Sequence, residues 1–295
     1  DWTAIIFNPS FPYRFAHNVC AFYITTGFVV LGVGAYLIRS GKSSQEGRLM
    51  MKMALNLLIV LVPLQMVLGD QHGLNTLEYQ PTKLAAIEGR YDTQTPTPLT
   101  LFGIPDDKNA VMHDAIEIPR LGSIILTHTW NGTIKGLKEW PADRRPPVGP
   151  PFFGFRIMVG IAVIMLFMVI AGQVMRRHDR IYITDWYLRL CQWVAPLGFI
   201  AVVAGWVTTE VGRQPWTVYG LLRTANSVSP SLTGSDVLIS LLLYVIVYLI
   251  MFPTGIGFML ALVRNGVQET EPPTGRIESG RPNVPFEQAA KPVTE

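Results

Sequence analysis

The chain has little charge and almost no cysteine. Asp, Glu, Lys and Arg make up 15% of its 295 residues, against about 25% in soluble globular domains. With a formal net charge of only +3, no nucleic-acid partner is expected. The two cysteines, Cys20 and Cys191, fall in different apolar runs. The topology argued below puts them near opposite faces, so no disulfide is expected. CxxCH is missing, as is any thiolate cluster, which excludes covalent heme attachment and an iron–sulfur centre. The start has neither an initiator Met nor a basic n-region with a cleavage site. It opens on Asp1-Trp2 and reads as an internal fragment.

What the chain has in abundance is apolar length. It is 49% hydrophobic, with a mean hydropathy of +0.30. Five runs are long enough to span a hydrocarbon core of roughly 30 Å: Phe15–Ile38, Met53–Gly69, Ile157–Met175, Leu190–Thr209 and Val237–Val263. Asn56, Pro63 and Gln65 interrupt the second. Pro63 and Pro253 kink their helices at a cost that a bundle tolerates. Arg39, Lys42, Arg48 and Lys52 lie between spans one and two. Arg176, Arg177, Arg180 and Arg189 lie between spans three and four. Both loops belong on the cytoplasmic side. The N-terminus is then outside and the C-terminus inside. Residues 70–151 lie outside, with eight Lys/Arg against ten Asp/Glu, and are too long for a mere connector. Residues 265–295, rich in Pro, Glu and Gly, read as a disordered cytoplasmic tail.

This topology carries three candidate metal ligands to one membrane face. His17 and Met158 lie in the first turns of spans that enter from outside. Glu210 ends span four, which exits there. Taken singly, each has an ordinary reading. A His at a helix end is a hydrogen-bonded interfacial group, a Met in an apolar helix packs, and Glu210–Arg213 is an ion pair. Jointly they favour a cofactor, because His plus Met is an axial pair for a low-spin heme and the thioether raises its potential. Arg156 stands two residues before Met158, where it would meet a heme propionate or snorkel. Trp206 precedes Glu210 by one helical turn. The other histidines, His72, His113, His128 and His178, fall in predicted loops.

Four motifs in order resemble subunit I of the cytochrome bd family of quinol oxidases. Asn8-Pro9-Ser10-Phe11-Pro12-Tyr13-Arg14-Phe15-Ala16-His17 is similar to the start of the family's fifth helix. Gly69-Asp70-Gln71-His72-Gly73 and Thr82-Lys83-Leu84-Ala85-Ala86-Ile87-Glu88 are similar to the beginning of its external quinol-binding loop. Phe155-Arg156-Ile157-Met158-Val159-Gly160 is similar to the start of the seventh helix. Gly205-Trp206 and Glu210-Val211-Gly212-Arg213-Gln214-Pro215-Trp216 are similar to the end of the eighth. The resemblance covers nearly the whole chain up to the tail.

The resemblance implies an all-α integral membrane fold, here five transmembrane helices of a larger nine-helix bundle with a long external loop. It divides the chain into residues 1–69 (first two spans), 70–151 (quinol loop), 152–264 (last three spans) and 265–295 (tail). It implies a bacterial cytoplasmic membrane, a low-spin heme b held by His17 and Met158, and a high-spin heme b with heme d, or heme b in its place. Glu210 would ligate a high-spin heme, and Arg213, Arg156 and Trp206 would line cofactor. Lys83 and Glu88, with Asp70, would bind quinol. Electrons would pass from quinol to oxygen, with a second subunit and a small single-helix subunit as partners. The family's first four helices have no counterpart here, nor does the ligand of the other high-spin heme. The external loop looks like the short, cyanide-insensitive type. A transporter is disfavoured because the ionisable groups gather at one face and not at the bilayer centre. A di-heme cytochrome b would need two facing His pairs.

Overall fold

In hydrocarbon every backbone polar group must find its partner within the chain, so apolar runs become helices. The computed structural model describes residues 1–177 and 179–266. Helix α1 (Trp2–Ile6) is capped by Asp1, whose carboxylate accepts the amides of Thr3 and Ala4. Helix α2 (Phe11–Ser40) has Pro12 in its first turn and stops at Gly41, whose φ of 70° suits glycine. Then come α3 (Ser44–Tyr79) and α4 (Pro81–Glu88). A hairpin of β1 (Leu99–Asp106) and β2 (Val111–Ile118) follows, then α5 (Leu121–Thr127) and α6 (Gly149–Arg176). Next are α7 (Asp185–Val194) and α8 (Leu197–Gly212), a small hairpin of β3 (Trp216–Val218) and β4 (Leu222–Arg223), and α9 (Gly234–Asn265).

The expected five spans are present, with altered bounds. The second does not end at Gly69: α3 continues through Asp70, Gln71, His72 and Gly73 to Tyr79. Residues 70–73, placed beyond the second span by the sequence, are therefore helix, and His72 is a helical residue and not a loop one. Here α3 passes close to His17: a Cβ on Gly69 would lie 3.4 Å from His17 Cε1, an ordinary contact. The fourth span is two helices, α7 and α8, meeting at Ala195-Pro196. Proline has no amide to donate to a continuing helix, and the break falls there. The segment after α3 is not a plain loop but holds α4, α5 and the β1–β2 hairpin. His178 and residues 267–295, including nearly all of the expected tail, lie outside the described residues.

The core lies between α2, α3, α6 and α7, where Phe28, Leu31, Met51, Leu55, Val169 and Tyr187 are buried. Helices α2 and α3 touch at their glycines. A Cβ on Gly34 would come 2.8 Å from the Gly47 carbonyl oxygen, and one on Gly47 2.7 Å from that of Gly34. Small residues permit such approach where lipid supplies no hydrophobic drive. Arg39 donates to Asp185 at 2.8 Å and Arg176 to Asn56 at 2.5 Å, so the basic helix ends gather at one end of the bundle. No residue of α9 is buried. Near its end, Lys42 Nζ donates to the Arg264 carbonyl at 2.6 Å.

Candidate functional site

The other end of the bundle collects the polar groups singled out by sequence. His17, one turn into α2, faces α3. Its Nε2 lies 3.2 Å from the Gln65 amide nitrogen, and its ring centroid is 5.7 Å from that of His72. Three buried atoms of this group lack a hydrogen-bond partner: His17 Nδ1, His72 Nε2 and Gln65 Oε1. Met158, half-buried near the start of α6, packs against α8, where a Cβ on Gly205 would stand 2.9 Å from its sulfur. Gly154 makes the same seam, since its Cβ would come 2.9 Å from the Ala204 carbonyl.

Glu210 and Arg213 pair at 2.5 Å across the last turn of α8. Trp206, one turn earlier, is 64% exposed. The chain then turns into the β3–β4 hairpin, whose Tyr219 hydroxyl meets that of Thr82 in α4 at 3.1 Å.

Helix α4 holds the run Thr82–Glu88, all seven residues of which are buried within the chain. Pro81 starts it, Gly89 ends it in the left-handed region, and Ala85 and Ala86 sit against Tyr91, Val148 and Phe152. Lys83 and Glu88, both nearly fully buried, belong to different surroundings. The Lys83 stem passes Gly212, whose Cβ would lie 3.3 Å from Lys83 Cγ, and its charge interacts with Arg14, Glu210 and Arg213. Burial, then Arg14, push the Lys83 ammonium down to about 7, with Glu210 opposing. Glu88 faces Arg156 at 4.0 Å. Burial raises its carboxyl against the pull of Arg156 and Arg90, and its Oε2 has no hydrogen-bond partner.

Arg156 acts as a clamp between elements. It donates to the carbonyls of Ile87 at 2.8 Å, Thr100 at 2.5 Å and Phe152 at 2.9 Å. Its guanidinium also lies 3.5 Å from the Phe152 ring centroid. This fastens α4 and β1 onto α6. Asp70 stands apart from Lys83 and Glu88, with His128 Nε2 at 3.3 Å and the Gln71 amide as its partners. Arg14 and His72 were missed as site residues. Arg14 precedes His17 by three positions, which puts both on one side of α2.

These donors fit a heme protein. A protein-only metal cage needs three or four converging ligands, and among the described residues no such His/Cys/Asp/Glu group occurs. The donors stand singly on separate helices, as axial ligands of a macrocycle do. Orphaned buried nitrogens and surplus buried cations beside them suit a group bearing iron and carboxylates.

Fold and site together define a helical membrane protein with five candidate spans and its polar groups gathered at one end of the bundle. The sequence model of the cytochrome bd terminal oxidase subunit I family matches residues 1–267, and the chain belongs to that family. It is 31% identical over 278 residues to cytochrome bd ubiquinol oxidase subunit 1 of Bacillus subtilis (strain 168), covering 91% of this chain and 59% of that relative. To cytochrome bd-II ubiquinol oxidase subunit 1 of Escherichia coli (strain K12) it is 26% identical over 344 residues, covering 93% of this chain and 66% of the relative. The solved bd oxidase from Geobacillus thermodenitrificans superposes with a TM-score of 0.78 at 28% identity, over 90% of this chain and 60% of that one. The chain thus spans roughly three fifths of the relatives' length. Family membership removes the transporter and di-heme cytochrome b alternatives.

Proposed function

We propose that this chain forms the cofactor-bearing and quinol-binding part of a membrane quinol:oxygen oxidoreductase, embedded in a bacterial cytoplasmic membrane with its N-terminus outside. The observation that carries the reading is the shared end of the bundle, where His17, Met158 and Glu210 lie near a buried helix, α4, that bears Lys83 and Glu88. His17 and Met158 would hold a low-spin heme b. Glu210 would ligate a high-spin heme, b or d, with Arg213 on a propionate and Trp206 on its periphery. The hemes supply one-electron chemistry between quinol and oxygen. A second oxidase subunit, and a small single-helix one, would complete the assembly.

The residues divide the work. Quinol oxidation releases two electrons and two protons, so a carboxylate beside the quinol oxygens must accept a proton. Glu88 suits this: it is buried, its Oε2 has no hydrogen-bond partner, and Arg156 holds its helix. Lys83 places positive charge between the quinol helix and Glu210. Asp70, paired with His128, is the weaker contributor. A short external segment accords with the cyanide-insensitive branch; the alignment with the Escherichia coli relative runs longer than this whole chain.

Glu210→Gln keeps shape and removes the anion. In the complete complex it should lower high-spin heme content and oxygen consumption by at least tenfold, read from reduced-minus-oxidised spectra and oxygen uptake. Unaltered content and uptake would overturn the assignment.

A further inference from the structure

Three cations converge on one carboxylate at the end of α8. Lys83 is 3% exposed, and the Nε atoms of Arg14 and Arg213 are buried without hydrogen-bond partners. Arg14, Lys83 and Arg213 interact electrostatically with one another and with Glu210. Only Arg213 forms a direct ion pair with that carboxylate. Glu210 pairs with Arg213, so the half-buried Arg14 and the nearly fully buried Lys83 are left without a carboxylate of their own among the described residues. Uncompensated buried charge is strongly unfavourable. Such an arrangement persists where an anion of matching charge completes it, and guanidinium groups bind carboxylates through paired, charge-assisted hydrogen bonds.

We propose that Arg14, Lys83 and Arg213 form one anion-binding site for the two carboxylates of a heme, with Arg14 the decisive positioning residue. The proposal rests on the heme reading above and extends it to α2 and α4. A heme carries two propionates, and their two negative charges balance the two surplus cations. Arg14 lies one turn before His17 on α2, Arg213 one turn after Glu210 on α8, and Lys83 on α4. The same carboxylates would therefore tie together three elements that make few direct polar contacts. His72 interacts with both Arg14 and Lys83, so its ring borders the same site.

The test is made in the complete oxidase. Arg14→Gln removes one cation from beside the carboxylates; a nearby positive charge disfavours the ferric heme relative to the ferrous and so raises its potential. Removing it should therefore shift a heme midpoint potential downward in a redox titration, and heme content per protein should fall at least twofold by the pyridine hemochrome spectrum. Arg14→Lys should restore both, and Lys83→Met should repeat the downward shift. If Arg14→Gln does not assemble, Lys83→Met and Arg14→Lys decide the matter. Unchanged potential and content in Lys83→Met and Arg14→Gln would overturn the proposal. So would normal hemes combined with a new dependence on anionic phospholipid, which would assign the site to a lipid phosphate. Glu210→Gln serves as the separate control. If it loses heme while Arg14→Gln does not, the heme reading stands and only this extension falls.

Discussion

Glu88 is a residue whose protonation is linked to folding. Burial raises its carboxyl above the ordinary value of 4.5, and Arg156 and Arg90 only partly oppose this. The folded state therefore binds a proton that the unfolded state releases. The resulting stabilisation is complete below 4.5, and it is lost as pH rises through the folded value. Thermal stability of the purified complex should accordingly decline as pH rises above 4.5, and Glu88→Gln should flatten that decline. An identical pH profile in the variant would contradict the linkage. Arg156 shows how a residue type admits two readings until its neighbours are known. Its place in Phe155-Arg156-Ile157-Met158 suggests a propionate contact, and in the fold its guanidinium also donates to backbone carbonyls of α4, β1 and α6.

At the scale of elements, the proposed function rests on α4 and the α6–α8 seam. Helix α4 holds Lys83 toward Glu210 and Glu88 toward Arg156, so the two side chains should respond differently. In the complete enzyme, Glu88→Ala should reduce quinol-driven oxygen uptake at least tenfold while sparing uptake driven by a quinol-independent electron donor. Equal loss with both donors would place the quinol site elsewhere. The seam is built on Gly154 and Gly205. A methyl on Gly205 would meet the Met158 sulfur at 2.9 Å, and overpacking of this kind costs about 1–3 kcal/mol. Gly205→Ala should push the Met158 thioether aside and change the low-spin heme absorption band. At Gly154 the obstacles are the Thr208 hydroxyl and the Ala204 backbone carbonyl, and the carbonyl cannot rotate away, so Gly154→Ala should cost more stability than Gly205→Ala in thermal unfolding.

For the whole molecule, the notable feature is how little of its apolar surface it covers by itself. Helix α9 buries nothing, and Trp206, Phe167 and Trp193 are exposed on other spans. Lipid and further helices are the natural neighbours of such surfaces. The family resemblance puts the ligand of one high-spin heme in a helix with no counterpart among these 295 residues. The isolated chain in membranes should therefore show no quinol-driven oxygen uptake, whereas the complete complex does. Uptake by the isolated chain would refute the division of labour proposed here.

Sequence alone determined the spans, because length and apolarity are local properties that hydrocarbon enforces segment by segment. It also determined the shared end of His17, Met158 and Glu210, because counting Lys and Arg orients every helix. Tertiary structure decided what each polar group touches. Nothing in the spacing of Gly69-Asp70-Gln71-His72-Gly73 says that α3 runs straight through it and brings His72 beside His17. Nothing in Thr82–Glu88, a short run with charge at Lys83 and Glu88, says that every residue of it is buried, because burying surfaces come from Tyr91, Val148 and Phe152 further along the chain. The split between Lys83 and Glu88 has the same origin. Five residues apart on one short helix, they point to different partners on α8 and α6. Only the packing of those distant helices fixes which charge each one meets.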